Sequence, residues 1–368
     1  MRKLIIALIL ILTTSLTLFA QSAEEAVNVT EDAQGFGIRA AGLGNAFVGV
    51  ADDYSAIYWN PAGLAQMRKG EFYGSLQQFN FRTKAEYLNT ETNSDRSFTK
   101  LKSFGLVYPF PVIQGSLVMA LGYQRFKTLD SYTEFGGLLR ESNSLAFDIK
   151  NDLGEYGVLP FDRDVTQKQV MSNDGNLSAW SAAVAISLSP NFMAGAAVNL
   201  IGGGSSYDMR YMQDDYNNSN AYQVQDENGV HIEDFFYNYY DVNQKLNSDY
   251  SAVAFKLGGL FQLGSHLRFG AGIDFPYSLH VKENWSVNDE LSYDITVLAE
   301  DVTYNYIEQA DLDDGTFDYN IEVPFKFSLG GSYRSEHFLV AAGAEYQDFT
   351  QMKYQMPDDR DPRDYSDL

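Results

Sequence analysis

Large apolar residues alternate with small or polar residues along several segments of this chain. Between positions 180 and 188 the odd residues are Ser or Ala, and the even ones are Trp180, Ala182, Val184, Ile186 and Leu188. The alternation resumes from 192 to 200, after a Ser-Pro-Asn turn. A period of two predicts strands with one apolar face, and the short turn joins these two in a β-hairpin.

The same pattern predicts nine strands in all. One lies near residues 71–81, and the other hairpins pair 104–108 with 117–123, 253–263 with 267–273 and 325–333 with 338–346. Strands of about nine to eleven residues with alternating faces are typical of barrels that cross an outer membrane. A soluble β-sandwich or an eight-stranded binding barrel is the competing interpretation.

The lengths of the connections favour the membrane barrel. Turns within the hairpins are short, whereas the connections between hairpins are long and polar, at 82–100, 127–176, 205–249 and 282–322. Short periplasmic turns and long extracellular loops produce this asymmetry. The predicted fold class is therefore all-β, a transmembrane antiparallel β-barrel.

An odd number of strands is unexpected for such a barrel, because an open edge leaves unpaired backbone groups in hydrocarbon. The chain ends at Leu368, within an acidic stretch of loop-like composition. We therefore expect residues 70–368 to be a barrel region that stops inside an extracellular loop.

The amino terminus has the features of a secretory signal peptide. Arg2 and Lys3 precede an apolar run over residues 4–19, and small residues follow it. We assign residues 1–22 to this signal, with cleavage after Ala20 or after Ser22, and expect the protein to leave the cytoplasm. No later segment has 18 consecutive apolar residues, so no second membrane-spanning helix is predicted.

Composition limits the chemistry that the chain can perform. A net charge of −23 argues against nucleic-acid partners, and the lack of cysteine excludes disulfides and thiolate metal sites. The four histidines are far apart, and the calcium-like run at 311–315 lacks the required spacing. We expect no metal, no cofactor and no enzyme activity, with a barrel hydrolase using a His–Ser pair as a further alternative.

Residues 35–67 are too long and too apolar for a flexible leader. They include the run RAAGLGNAFVGVADDYSAIYWNPAGLA at 39–65, whose glycines permit close approach to surrounding walls. We interpret this part of the chain as a plug inside the barrel.

This run resembles the hatch of the FadL/TodX family of outer-membrane transporters for hydrophobic compounds. The late hairpin that begins Val323-Pro324-Phe325 and the strand at 267–278 are also similar to segments of that family. The resemblance implies a barrel of about fourteen strands when complete, about nine of them in this chain, with a periplasmic lead-in and hatch at residues 23–69. The residues that match the hatch motif are Gly42, Gly44, Asn60, Pro61, Ala62 and Gly63.

The same resemblance implies passive transport. A long-chain fatty acid or an aromatic hydrocarbon would be captured outside, reach a pocket against the hatch and leave sideways into the membrane. The alternative is a FadL-like barrel that acts as a scaffold or shuttle in protein secretion. The expected location is the outer membrane of a Gram-negative-type bacterium, and the expected partners are its lipid, its lipopolysaccharide and the hydrophobic compound.

The connection at 205–249 combines acidic residues with an aromatic cluster that includes Phe235, Phe236 and Tyr237. These aromatic side chains either collect a hydrophobic substrate or pack the loop onto a neighbour. The acidic residues either form a solvated surface or bridge divalent cations to lipopolysaccharide. The sequence leaves both pairs of alternatives open.

Overall fold

The computed structural model describes residues 23–30, 35–151, 154–215, 217–225 and 228–355. The predicted signal peptide, residues 1–22, and the acidic end of the chain, residues 356–368, lie outside this part. The division into signal, hatch and barrel regions therefore stays a prediction.

Antiparallel β-strands make up most of the described chain. They are β1 (Glu71–Tyr87), β2 (Thr90–Phe110), β3 (Leu117–Thr128), β4 (Ser131–Leu139), β5 (Ala146–Asn151), β6 (Gly154–Pro160), β7 (Val165–Ser189), β8 (Phe192–Asp214), β9 (Ala221–Gln225), β10 (His231–Leu263), β11 (Leu267–Asp274), β12 (Tyr277–Val297), β13 (Val302–Val323), β14 (Lys326–Arg334), β15 (Leu339–Gln347) and β16 (Lys353–Gln355). The helices are short, namely α1 (Ala23–Thr30), α2 (Ile38–Gly42), α3 (Ala56–Trp59) and two 3-10 helices, Pro61–Gln66 and Phe349–Gln351. Of the helices described, none has both the length and the apolar character needed to cross a membrane.

Fourteen strands of the described part form one sheet, and nine of them, which match the nine strands predicted, form one continuous path. Their order is β1-β2-β3-β7-β8-β10-β11-β14-β15, and every neighbouring pair is antiparallel. The strands β4, β9 and β12 each pair with one strand of this path, and β13 and β16 extend the sheet from β12. The strands β5 and β6 form a separate hairpin. We call the nine-strand path the wall. Its short-turn end carries the turns at 111–116, 190–191, 264–266 and 335–338.

The outward face of the wall is apolar. On β10, five outward side chains are 41–56% exposed, namely Val253, Phe255, Leu257, Phe261 and Leu263. On β7, Trp180 and Leu188 are exposed, while Ala183 and Ala185, at positions of the opposite parity, are buried. The alternation in the sequence therefore separates the two faces of the wall as predicted.

The inward face of the wall surrounds residues 35–67, which we call the inner segment. Tyr54 of this segment stacks on Tyr73 of β1, with 5.1 Å between ring centroids. Leu339 of β15, at the opposite edge of the wall, packs against the same buried cluster as Tyr54. Because both edge strands contact the inner segment, the sheet curves around it as a barrel wall.

The long connections between hairpins are largely strands and not loops, so that part of the prediction is wrong. β7 is 25 residues long and β10 is 33. Residues of the predicted connection at 82–100 pair with each other across a turn at Leu88 and Asn89. Their polar composition resembles that of a loop, but strands in water carry polar side chains while cross-strand bonds still satisfy the backbone.

Phe235, Phe236 and Tyr237 accordingly lie in β10. Phe235 and Tyr237 are fully buried. Tyr237 stacks on Phe161 with 4.6 Å between ring centroids, and Phe235 lies 5.0 Å from the ring of Tyr293. Phe236 is half-buried. Packing thus accounts for Phe235 and Tyr237, and a substrate-collecting role for any of the three residues stays a prediction.

Replacing Phe235 by Ala should loosen this outer part of the wall, because removing a buried aromatic ring costs about 3–5 kcal/mol. Phe236→Ala is the matched control, since the neighbouring ring is only half-buried. Hydrogen exchange of β10 and β12 measures the effect. The F235A protein should exchange faster than F236A, and equal rates would contradict the packing role.

Candidate functional site

Asn60 fixes the inner segment to the wall. The residue is fully buried. Its Nδ2 donates to the carbonyl oxygens of Val48 and Gly259, at 3.0 Å each, and its Oδ1 accepts from the backbone nitrogen of Ala62 at 3.1 Å. The last of these bonds caps the 3-10 helix Pro61–Gln66. One side-chain amide therefore satisfies three backbone groups and links the inner segment to β10.

Glycines of the wall let the inner segment come close. A Cβ at Gly258 would lie 2.1 Å from Asn60 Oδ1, and a Cβ at Gly270 would lie 2.1 Å from the carbonyl oxygen of Val48. Real side chains do not approach so closely, so a larger residue at either position would push the segment off the wall. Gly63 is constrained within the segment itself, since its Cβ would meet a carbonyl oxygen at 2.0 Å.

The residues predicted from the hatch motif fall into two groups. Residues 60–63 are contiguous and buried, and they lie against Gly195 of β8 and Gly258 of β10. Gly42 and Gly44 are exposed at the end of α2, and an added Cβ at either would meet no atom within 4 Å. The structure therefore brings only the first group into contact with the wall.

An ionic cluster holds the inner segment at the short-turn end. Arg39 of α2 lies 2.7 Å from Asp52 and 3.0 Å from Asp53. Asp52 also lies 3.1 Å from Arg334 of β14 and 3.8 Å from Arg268 of β11. Burial acts to lower the pKa of Arg39, but the hydrogen bonds and charges of the two carboxylates outweigh it, and that pKa is raised.

A cavity lies against the inner segment, farther along the strands from the short turns than the contacts of Asn60. Its volume is about 100 Å³, and it opens to solvent on one side. Tyr58 of the inner segment and Thr30 of α1 border it, and strands between β3 and β15 form its sides. Its apolar lining includes Phe126, Ala179, Ile201, Ala254, Phe275 and Val323. Such a lining shields part of an apolar compound from water.

Polar side chains form a belt on the wall beside this cavity. The polar belt consists of Gln124, Ser181, Asn199, Lys256, Asp274 and Lys326. Lys256 Nζ lies 2.9 Å from Asp274 Oδ1 and also donates to the carbonyl oxygen of Tyr58. Lys326 Nζ lies 4.0 Å from Asp274 Oδ2 and 4.0 Å from Glu345 Oε2. Two ammonium groups thus face two carboxylates, and these four charges balance.

Reasoning from the sequence missed the polar belt, although a signal for it exists. Lys256 and Lys326 stand among the small and polar positions of β10 and β14, whose parity marks the inward face. A charged group on an inward face is costly unless it is paired. A lysine at such a position therefore indicates a polar region of the lumen.

The wall has a seam beside the cavity, between β2 and β3. These strands pair from Ser103 and Gln124 towards the short turn. Beyond that point, in the part of the chain that the structure describes, β2 pairs with β1 and β3 with β7, but not with each other. Lys100 spans the seam, with its Nζ 2.7 Å from Asp130 and 2.8 Å from Asp174. Side chains rather than backbone ladders therefore join the wall here.

Within the described ranges, no group of three or more His, Cys, Asp or Glu side chains has a geometry that could hold a metal ion. The calcium-like run at 311–315 lies in β13 and pairs with β12. Within it, Asp313 accepts a hydrogen bond from Trp285 Nε1 at 3.2 Å. These residues are therefore part of a strand and not of a metal-binding loop.

No protein-family profile and no curated protein matches this sequence. Solved structures that resemble it include the toluene transporter TbuX of Ralstonia pickettii, with 11% identity, coverage of 88% of this chain and 98% of that chain, and a TM-score of 0.25. The toluene transporter TodX of Pseudomonas putida has 12% identity, coverage of 85% and 96%, and a TM-score of 0.19. At these values, no conclusion about function rests on either likeness.

Replacing Asn60 by Ala should loosen the inner segment. The carbonyl oxygens of Val48 and Gly259 would lose their donor, at about 1–3 kcal/mol each. Asn191→Ala, in an exposed short turn, is the control. Release of a small hydrophilic dye from vesicles that contain the protein measures the effect. Vesicles that contain N60A should release the dye faster than vesicles that contain N191A. Equal release would contradict a role for Asn60 in closing the barrel.

Proposed function

We propose that this protein is an outer-membrane barrel through which hydrophobic compounds pass by diffusion. The observation that carries the proposal is the cavity against the inner segment, lined in part by Phe126, Ile201 and Val323. An apolar compound gains free energy by leaving water for such a lining. Because the inner segment lies between this cavity and the short turns, the proposed path is not a straight water-filled pore.

The outward face of the wall supports a membrane location. From Val253 to Leu263 the strand advances ten residues, or about 33 Å at about 3.3 Å per residue. A strand of this length tilted by about 40° rises about 25 Å, which is the height of the apolar band of an outer-membrane barrel. We therefore place this band in the hydrocarbon, the short turns on the periplasmic side, and lipid and lipopolysaccharide around it.

We propose that the compound leaves sideways, through the seam between β2 and β3. Gln124, where the pairing of these strands ends, and Phe126, two residues farther, both line the cavity. Separating the strands above this point breaks side-chain contacts but none of the β2–β3 ladder bonds described. Through the ladder Gln124 is in register with Ala252, so the seam opens at the outer edge of the apolar band, where a released compound meets the lipid surface and is spared the periplasmic water.

Uptake by cells with and without the gene tests the transport proposal. The two substrate classes that the family resemblance implies can be followed with labelled oleate and labelled toluene. Uptake of at least one should fall when the gene is absent and return when it is restored. Unchanged uptake of both compounds, and of a wider set of hydrophobic compounds, would contradict transport.

Locking the seam should slow uptake. Since the chain has no cysteine, Leu101→Cys with Arg125→Cys introduces one thiol on each side of the seam just beyond the last β2–β3 pair, which a short bifunctional reagent can join. Leu106→Cys with Leu121→Cys is the matched control, because these residues face each other in the paired part of β2 and β3. Each protein is compared with itself before crosslinking.

The first crosslinked protein should lose most of its uptake, and the control should keep it. If both crosslinked proteins transport as they did before the reaction, sideways exit at this seam is wrong. The transport proposal itself would stand, because the exit would then lie elsewhere.

A further inference from the structure

Two buried oxygen atoms of the cavity lining, Gln124 Oε1 and Asp274 Oδ2, accept no hydrogen bond from the part of the chain that the structure describes. Gln124 is only 2% exposed. Lys326 Nζ lies 4.0 Å from Asp274 Oδ2, which is an ion-pair distance but too long for a hydrogen bond. Buried acceptors without a donor cost free energy, so the cavity favours a ligand that brings one.

The neighbours of Gln124 set the orientation of its amide. Its Nε2 donates to Ser181 Oγ at 3.0 Å, and Ser181 Oγ donates to Asn199 Oδ1 at 2.5 Å. A serine hydroxyl has one proton, and Ser181 directs it to Asn199, so Ser181 accepts from Gln124. The amide nitrogen therefore faces Ser181, and the amide oxygen is left without a donor among the described residues.

Once Glu345, which lies beside the polar belt, is counted with it, the charges around the cavity balance. The two lysines, Lys256 and Lys326, lie against Asp274 and Glu345. Lys256 already donates to Asp274 Oδ1 and to the carbonyl oxygen of Tyr58. A carboxylate ligand would bring its charge next to Asp274 Oδ2, and an ammonium ligand would compete with both lysines. Neither charged head group is favoured.

We propose that the cavity binds an uncharged amphiphile that carries a hydroxyl group, such as an alkylphenol or an alkanol. The hydroxyl donates to Asp274 Oδ2 or Gln124 Oε1, and the hydrocarbon part lies against Phe126, Ile201 and Val323. The inference rests on the proposed transport function and names its substrate class. A bare hydrocarbon would fill the same space but leave both acceptors without a donor.

Calorimetric titration of the full chain, purified in detergent, can compare ligands that share one apolar body. These are 4-butylphenol, 4-butylanisole, butylbenzene and 4-butylbenzoate, with empty micelles as the baseline. At neutral pH only the phenol offers a hydrogen-bond donor. It should bind about tenfold more tightly than butylbenzene or 4-butylanisole, as expected for one hydrogen bond to a buried acceptor. The benzoate should bind no more tightly than butylbenzene.

Each other outcome has a distinct meaning. Equal binding of the phenol and either the anisole or butylbenzene overturns the hydroxyl inference, while the hydrophobic cavity stands. Tighter binding of the benzoate overturns it in favour of an anionic head group. If none of the four ligands binds, the proposed function fails together with its substrate class.

Substitutions test which acceptors are used. Gln124→Leu has a matched control in Gln77→Leu, because both glutamines have an Oε1 without a partner in the described part of the chain, and of the two only Gln124 lines the cavity. Q124L should reduce the preference for phenol over butylbenzene by about threefold. Q77L should keep the full preference.

Asp274→Asn, which nearly preserves the size of the side chain, should also reduce the preference. Retained binding of butylbenzene reports that each variant is folded. A full preference for the phenol in both Q124L and D274N overturns the assignment of these acceptors. If neither variant folds, the comparison of phenol with anisole on the unaltered protein decides the question.

Discussion

The close contact between the inner segment and the glycines of the wall is the constraint on which the other features depend. At Gly258 and Gly270, atoms of the segment occupy the space that a side chain would need. The three hydrogen bonds of Asn60 hold this contact in place. Because the segment is fixed this closely near the short turns, the lumen beyond it remains open, with Tyr58 at its border. The cavity is thus a consequence of where the inner segment ends.

Charged side chains of the wall lie in two environments, the lumen and the strand extensions in water. In the lumen, the lysines of the polar belt are matched by carboxylates at 2.9–4.0 Å. In the extensions beyond the apolar band, acidic side chains face water, as along β13, where positions 302–314 are all exposed. The net charge of −23 therefore reflects the solvated extensions, and it carries no information about the compound that the cavity binds.

The wall could be predicted from the sequence because its signal is local. A period of two is visible within each strand, and each short turn fixes the register of its hairpin, so the paired strands around 180–188 and 192–200 were found directly. The hatch motif at 60–63 was found by resemblance. The extended strands were missed because pairing partners such as Tyr87 and Thr90 lie in polar sequence that also suits a loop.

The polar belt could not be predicted as a unit. Gln124, Asn199, Lys256 and Asp274 come from four strands, one residue from each. The alternation along each strand shows that such residues point inward. Whether they lie at the same height in the barrel depends on the register of every strand pair between them. The same reason applies to the seam, which depends on where the pairing of β2 and β3 ends and not on any residue type.

The length of β10 has a consequence for how a compound first meets this protein. From Val253 back to His231 the strand continues for 22 residues, about 70 Å at about 3.3 Å per residue. With the tilt of about 40° typical of such barrels, the wall would rise about 55 Å above the hydrocarbon. That height exceeds the thickness of the hydrocarbon core itself, about 30 Å. In the proposed orientation the mouth of the barrel therefore lies well outside the hydrocarbon, and a solute first contacts the protein at that height.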